Sequence, residues 1–389
     1  MLNSPINTNF GYYLCNGVSF QSKIDALLYS TTIQKPVEWI FHQDTFLKYP
    51  WHIEPSETLD QLYDRRSREL REKYDYVILS YSGGADTNNI LESFIRQNLH
   101  IDEIIINHMS SITKKTTILD PNVKASWNFA AEHELQAIPR LKYIRDKLPK
   151  TKITELDVSD MVINSMKEFD DADWVLHRNG QLTIGQLFRY NYFHFREIKK
   201  QFDKNLKIGI IVGVDKPKTK IKSDNKFYIY FNDLTTNIAT INDFNDEYTN
   251  TTVELFYWSI DCLDLLCKQA HVIKKWLEKA PGRQYYWKNP DANVVRLFHE
   301  RWLRPLIYTT WDNNWFQADK ATQWINCEFD SWFMTDDSFV RERELWKRGI
   351  DFLEKNLSDF VIYKNDKPEY LKQFIHEYCI GTINSKIII

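Results

Sequence analysis

Four short candidate strands mark the first 215 residues, three of them apolar runs, and each is too brief to make a helix. They are "YVILSY" (76–81), "DEIIINHM" (102–109), "TKITELDV" (151–158) and "LKIGIIVGVD" (206–215). Runs of this length, rich in β-branched residues, read as buried strands. Between them apolar positions recur at helical spacing, through Ile90, Leu91, Phe94 and Ile95, around Trp127, Phe129, Ala130 and Leu135, and across 160–169 and 182–203. Strands alternating with helices predict an α/β fold built on a parallel sheet with helices on both faces.

Outside this stretch the pattern differs. Residues 1–73 are mixed and end in a helix, where Leu59, Leu62, Tyr63 and Leu70 share a face and Thr58 with Gln61 forms a candidate capping box. Beyond residue 220, "KFYIYFNDL" predicts a hairpin region, and a mainly helical, Trp-rich C-terminal region follows. Three segments result: a mixed N-terminal segment (1–73), a sheet-bearing domain (74–220) and a mainly helical C-terminal domain (221–389).

Composition narrows the classes. A balance of 43% hydrophobic and 26% charged residues is that of a globular protein. A formal net charge of -3 gives no general attraction to nucleic acid or to anionic membranes, so such a partner would need a local basic patch. The five cysteines include no C-x-x-C pair, which argues against a disulfide framework and a four-cysteine zinc site. No apolar run reaches the ~18 residues needed to cross a bilayer, and "MLNSPINTNFGYYLCNG" lacks a signal-peptide pattern. The expectation is a cytoplasmic protein with no membrane partner. The abundance of Ile, Asn, Lys, Asp and Tyr suits an AT-rich genome such as a phage's.

Glycine usage points to the chemistry. Only 11 of 389 residues are glycine, against a usual ~7%, yet Gly83 and Gly84 are adjacent in "SYSGGADT". The pattern is strand, tight loop, helix. Such a loop directs free backbone N–H groups and the positive end of a helix dipole at one point, and glycine lets an anion approach closely. Ser80, Ser82, Gly83, Gly84, Ala85, Asp86 and Thr87 are the candidate phosphate-binding set. A carboxylate beside phosphate needs a cation between them, so Asp86 implies Mg²⁺. The loop has no Lys for a Walker motif and no G-x-G-x-x-G for a dinucleotide motif. The competing reading is a tight turn whose glycines serve packing alone.

These residues resemble the S-G-G-x-D-S loop of the PP-loop ATP pyrophosphatases, with Thr87 in the last place. The resemblance implies an adenine nucleotide alpha hydrolase-like fold, ATP and Mg²⁺ as cofactors, and attachment of AMP to a carboxylate or carbonyl oxygen before a nucleophile displaces it. It also implies that the adenine lies at the end of the second strand, near Asn107, His108 and Met109, and His108 reads equally as a structural histidine. Gly213 and Asp215 resemble, in position and residue type, a later loop of asparagine synthetases. Asp215 would be a second Mg²⁺ ligand and Lys216 a cation for the departing pyrophosphate, which makes Asp86, Asp215 and Lys216 the candidate catalytic set. Lys216, Lys218, Lys220 and Lys222 share one face of an extended segment, either to steer an anion or as a solvated loop. Arg178 and Arg189 are candidates for the α-phosphate or a substrate carboxylate, or else make surface ion pairs.

The resemblance covers residues 74–216. Residue 2 is Leu rather than the Cys of a glutaminase, and 73 residues precede the sheet-bearing domain, too few for a glutaminase domain. The expected activity is an ATP-dependent, AMP-forming ligase that makes a C–N bond on a small-molecule substrate, like asparagine synthetase without its glutaminase domain. The alternatives are a tRNA- or DNA-modifying PP-loop enzyme, a sulfur-transfer enzyme of the phosphoadenylylsulfate reductase kind using Cys379, and a nucleotide-binding regulator without turnover. The aromatic and basic residues of 300–324 would stack nucleic-acid bases in the first of these and pack in a core otherwise.

Overall fold

The hydrophobic runs form strands, and the polar punctuation between them explains where each turns. A computed structural model describes residues 6, 8–108, 110–111, 133–167, 170–176, 182, 205–239, 250–288, 302–312, 328–364 and 367–383. Strands β1 (Tyr12–Cys15), β2 (Val18–Phe20) and β3 (Val37–Ile40) make a small antiparallel sheet in the order β2-β1-β3. Asn16 and Gly17 turn β1 into β2 with φ of 49° and 79°, the positive values that a two-residue Asn-Gly hairpin requires. The helix Leu59–Lys73 starts at Thr58 with the expected capping box. Its buried face carries Leu59, Leu62, Tyr63 and Leu70, and Arg66 and Ser67 are buried with them.

The central sheet begins with β4 (Tyr76–Ser80), β5 (Glu103–His108), β6 (Lys152–Asp157) and β7 (Ile208–Val212). After β7 come β8 (Lys218–Ile221), β9 (Lys226–Asn232) and β10 (Thr251–Leu255). β10 adds a fifth strand to the sheet, whose order is β10-β7-β4-β5-β6 and whose pairings are all parallel. From β4 the chain runs outward through β5 and β6, then returns to lay β7 on the other side of β4. The carboxyl ends of β4 and β7 therefore flank the point where strand order reverses, the place at which open α/β sheets bind ligands. Ser80 lies in register with Val212 on one side and Ile105 on the other, so the loops after the two strands emerge side by side.

The fifth strand comes from residues 251–255, beyond the boundary drawn at 220. "KFYIYFNDL" is one strand, β9, running into the helix Asp233–Ala239. It pairs antiparallel with β8 and with β13 (Ile375–Thr382), the last strand after β11 (Val361–Lys364) and β12 (Lys367–Leu371). The C-terminal region carries the helices Leu263–Glu278, Pro281–Lys288, Glu328–Thr335 and Val340–Leu357. Among the described residues, the larger hydrophobic core cluster extends from Phe10 through the central strands to Ile383. Trp258 and Trp287 are buried in that core, and Trp276, Trp302 and Trp311 pack half-buried against it. A second cluster joins the helices Lys23–Ile33, Ser159–Lys167 and Val340–Leu357. No helix among the described residues is long and apolar enough to cross a membrane. Met109, Trp127, Arg178, Arg189, Trp315 and Trp324 lie outside the described residues, as does the region 183–203.

Candidate functional site

The glycine pair lies between β4 and the helix Ala85–Arg96. Gly83 has φ 78°, a conformation that costs any residue with a Cβ, and a Cβ there would meet the Ala137 backbone nitrogen at 2.6 Å. Both constraints demand glycine. Gly84 is the helix N-cap with φ -70° and ψ 166°, and it caps the first turn with no side chain. Its carbonyl accepts from the Asn88 N–H at 2.9 Å and from the Thr87 hydroxyl at 3.2 Å. Ser82 Oγ accepts from the Gly84 N–H at 3.2 Å and lies 3.3 Å from Thr87 Oγ1. The loop is thus a closed hydroxyl-and-amide ring with the positive end of a twelve-residue helix behind it.

The β7 exit comes up against this loop. A Cβ on Gly213 would sit 2.8 Å from Thr87 Cγ2, so glycine sets how closely β7's end approaches the helix start. Beyond it the chain turns through Asp215 and Lys216. Lys216 Nζ stands 3.8 Å from an Asp86 carboxylate oxygen and 3.6 Å from one of Asp215, bridging two acids 129 positions apart. Asp215 also accepts from the Lys216 N–H at 2.7 Å and pairs with Lys218 Nζ at 2.9 Å. Burial raises the Asp215 carboxyl's pKa, but Lys218 and Lys216 outweigh it and hold the acid well below the usual carboxylate range. The Lys216 ammonium thus stands between two carboxylates and offsets their mutual repulsion where the β4 and β7 loops meet.

Sequence reading missed two tyrosines. Tyr308 donates its hydroxyl to the Asp86 carboxylate, and Tyr257 donates to the Asp86 carbonyl at 2.9 Å. Burial, reinforced by the nearby Asp86 charge, pushes both phenols well above their ordinary pKa, so both stay protonated and remain donors. Neither follows a motif. The only hint is that both lie in aromatic-rich stretches, one directly after a strand.

The other sequence candidates divide by location. Ser80 ends β4 and Ala85 opens the helix, both at the loop. Asn107 and His108 end β5, the neighbouring strand. The His108 ring stacks on His133 with centroids 4.0 Å apart, and its Nδ1 accepts from the Ser110 N–H at 3.3 Å. Burial first, and then His133, lowers its pKa and favours neutral imidazole. Lys220 and Lys222 both pair with Glu377 and lie over Tyr230 and Tyr228, so this part of the lysine row is folded into β8 and its hairpin. Cys262 and Cys267 are buried and donate to carbonyl oxygens, with burial pushing their thiols up to about 11 and about 12. Cys379 is exposed on β13 opposite Tyr228. No cluster of three His, Cys, Asp or Glu poised for a metal occurs among the described residues.

No protein-family model matches this chain, and no curated protein sequence matches it.

Proposed function

We propose that the chain is an ATP-dependent adenylating enzyme of the PP-loop type, with an adenine nucleotide alpha hydrolase-like domain around β4, β5 and β7. One observation carries the reading. The Ser82–Thr87 loop, its glycine in positive φ at a helix N-terminus, lies at the switch point of a parallel sheet where Lys216 brings Asp86 and Asp215 together. A packing turn needs the glycines but gives no reason for two acids and a lysine to converge on it.

The donor set suits Mg²⁺. That ion prefers carboxylate oxygens with substrate phosphates and water completing its shell, and Asp86 and Asp215 are two acids already drawn to one cation. Bound there, Mg²⁺ would neutralise phosphate charge. In the proposed reaction an oxygen of the substrate carboxylate attacks the α-phosphorus, and the bond to the bridging oxygen breaks to release pyrophosphate. An amine or ammonia then attacks the acyl carbon and AMP leaves. The loop amides and the Ser82 and Thr87 hydroxyls hold the pyrophosphate oxygens, and Lys216 balances the charge that builds on the leaving group. Asn107 and His108, ending the neighbouring strand, are placed for the purine. The substrate is a small carboxylate-bearing molecule, and the setting is cytoplasmic.

Purified protein incubated with ATP, Mg²⁺, ammonia and a panel of carboxylic acids should release AMP and pyrophosphate. Asp86→Asn and Asp215→Asn should each reduce that release at least 100-fold. ADP and phosphate as products would refute adenylation. ATP binding without consumption would favour a regulator instead.

A further inference from the structure

Asp86 is held from outside the parallel sheet. Tyr257 follows β10 by two residues, and Tyr308 closes the helical residues 302–307 of the C-terminal region. Their rings lie 5.9 Å apart, and both are buried. Tyr257 donates to the Asp86 backbone and accepts from Asn89 Nδ2 at 3.3 Å, while Tyr308 donates to the Asp86 carboxylate. The segment that brings Tyr308 is itself anchored. The Tyr63 hydroxyl donates to the Ile307 carbonyl, Thr309 donates to Asp60, and Thr310 Oγ1 approaches Asn89 Oδ1 at 3.4 Å. Asp60 and Tyr63 belong to the helix Leu59–Lys73, and Asn89 to the helix that starts at the glycine loop.

This arrangement does more than fill space. A tyrosine ring packs as well without a hydroxyl, and burying an O–H costs stability unless it finds a partner. Here both hydroxyls donate to one residue, and that residue is an acid of the candidate site. A carboxylate on a short side chain turns freely unless an oxygen is pinned, and an off-angle carboxylate makes a poor metal ligand. Hydrogen bonds to ligating carboxylates are how proteins fix that angle.

We propose that Tyr308 is a positioning residue that sets the Asp86 carboxylate for Mg²⁺, so that the C-terminal region completes the nucleotide site. The proposal rests on the reading of Asp86 as a Mg²⁺ ligand. Tyr308 touches neither nucleotide nor metal and acts through Asp86, with Tyr257 fixing the backbone beneath it.

The test is calorimetric titration of ATP into the full-length protein across a series of Mg²⁺ concentrations, with melting temperature recorded for each variant. Tyr308→Phe should raise the Mg²⁺ concentration that gives half the full ATP affinity by about 10-fold, while ATP binding without Mg²⁺ changes less than about twofold. Tyr49→Phe is the comparison. It removes a 2.6 Å tyrosine bond to Asp264, a carboxylate outside the site, and should leave the Mg²⁺ midpoint where it was. In an Asp86→Asn background Tyr308→Phe should cause no further shift. An unshifted midpoint in Tyr308→Phe overturns the proposal, as does an equal shift in Tyr49→Phe or one that persists in the Asp86→Asn background. Wild-type protein that binds no ATP at any Mg²⁺ concentration overturns the nucleotide-site reading itself, a distinct result. If Tyr308→Phe does not fold, Thr310→Val, which loosens the same segment at Asn89, must show a smaller shift of the same sign, and no shift overturns the proposal.

Discussion

Gly83 allows the sharpest test of the loop because a second glycine separates its two constraints. Gly83 and Gly17 have nearly equal φ, 78° and 79°. A Cβ on Gly17 would meet nothing within 4 Å, whereas one on Gly83 would meet the Ala137 nitrogen at 2.6 Å and its Cα at 2.9 Å. Replacing either with Ala incurs the left-handed penalty of about 1–2 kcal/mol and regains about 0.4–1 kcal/mol from a less flexible unfolded chain. Those terms are common to both. Gly83→Ala alone forces a shift of backbone at Ala137, an overpacking cost of about 1–3 kcal/mol. Urea denaturation of wild type, Gly17→Ala and Gly83→Ala, with unchanged slopes, measures the difference directly. Gly83→Ala should be the less stable by about 1–3 kcal/mol and should also lose ATP binding. Equal midpoints for the two variants would refute the reasoning, because the loop would then yield to a methyl group and could not be a fixed cradle.

Further expectations follow from the buried charges and rings. Lys23 and Asp233 form an ion pair at 2.6 Å with both side chains fully buried, and Asp233 also accepts from Tyr13 and the Phe374 N–H. Lys23→Met should cost about 3–5 kcal/mol by leaving Asp233 unpaired, and Lys23→Met with Asp233→Leu should restore part of that in urea melts. His108 takes up a proton less readily folded than unfolded, so its contribution is complete above the free-histidine range near ~6.5 and is lost as pH falls below it. Urea stability of His108→Gln measured between pH 7.5 and 5 should therefore fall less steeply than wild type, and parallel curves would contradict that. Gly213→Ala, which pushes a methyl group against Thr87, should weaken ATP binding with little effect on m-value.

β4, β5 and β7 were legible because apolar residues run nearly unbroken in strands buried on both faces, whereas β6, an edge strand with no fully buried residue, showed only as a short β-branched stretch between helical patterns. β4, β5, β6 and β7 fall inside the four predicted runs. The capping box at Thr58 was legible for a similar local reason, since its hydrogen bonds span three residues. β10 was not. "TTVEL" is half polar because Glu254 pairs with Arg66 and Lys73, long-range partners that local pattern does not reveal. "KFYIYF" alternates as a strand should, but its two neighbours, β8 and β13, lie on either side of it in the sheet and more than 140 residues apart in the chain.

By itself the sequence determined the loop: its glycines, its hydroxyls, the acid at Asp86 and the strand and helix on either side are all local, and local chemistry is written in consecutive residues. Only the tertiary structure decided what faces Asp86. The meeting of Asp86 with Asp215 and Lys216 depends on β7 lying beside β4, and Tyr308 arrives 222 positions downstream through a segment anchored on two helices. Those contacts arise from packing order, which no spacing of residues along a chain encodes.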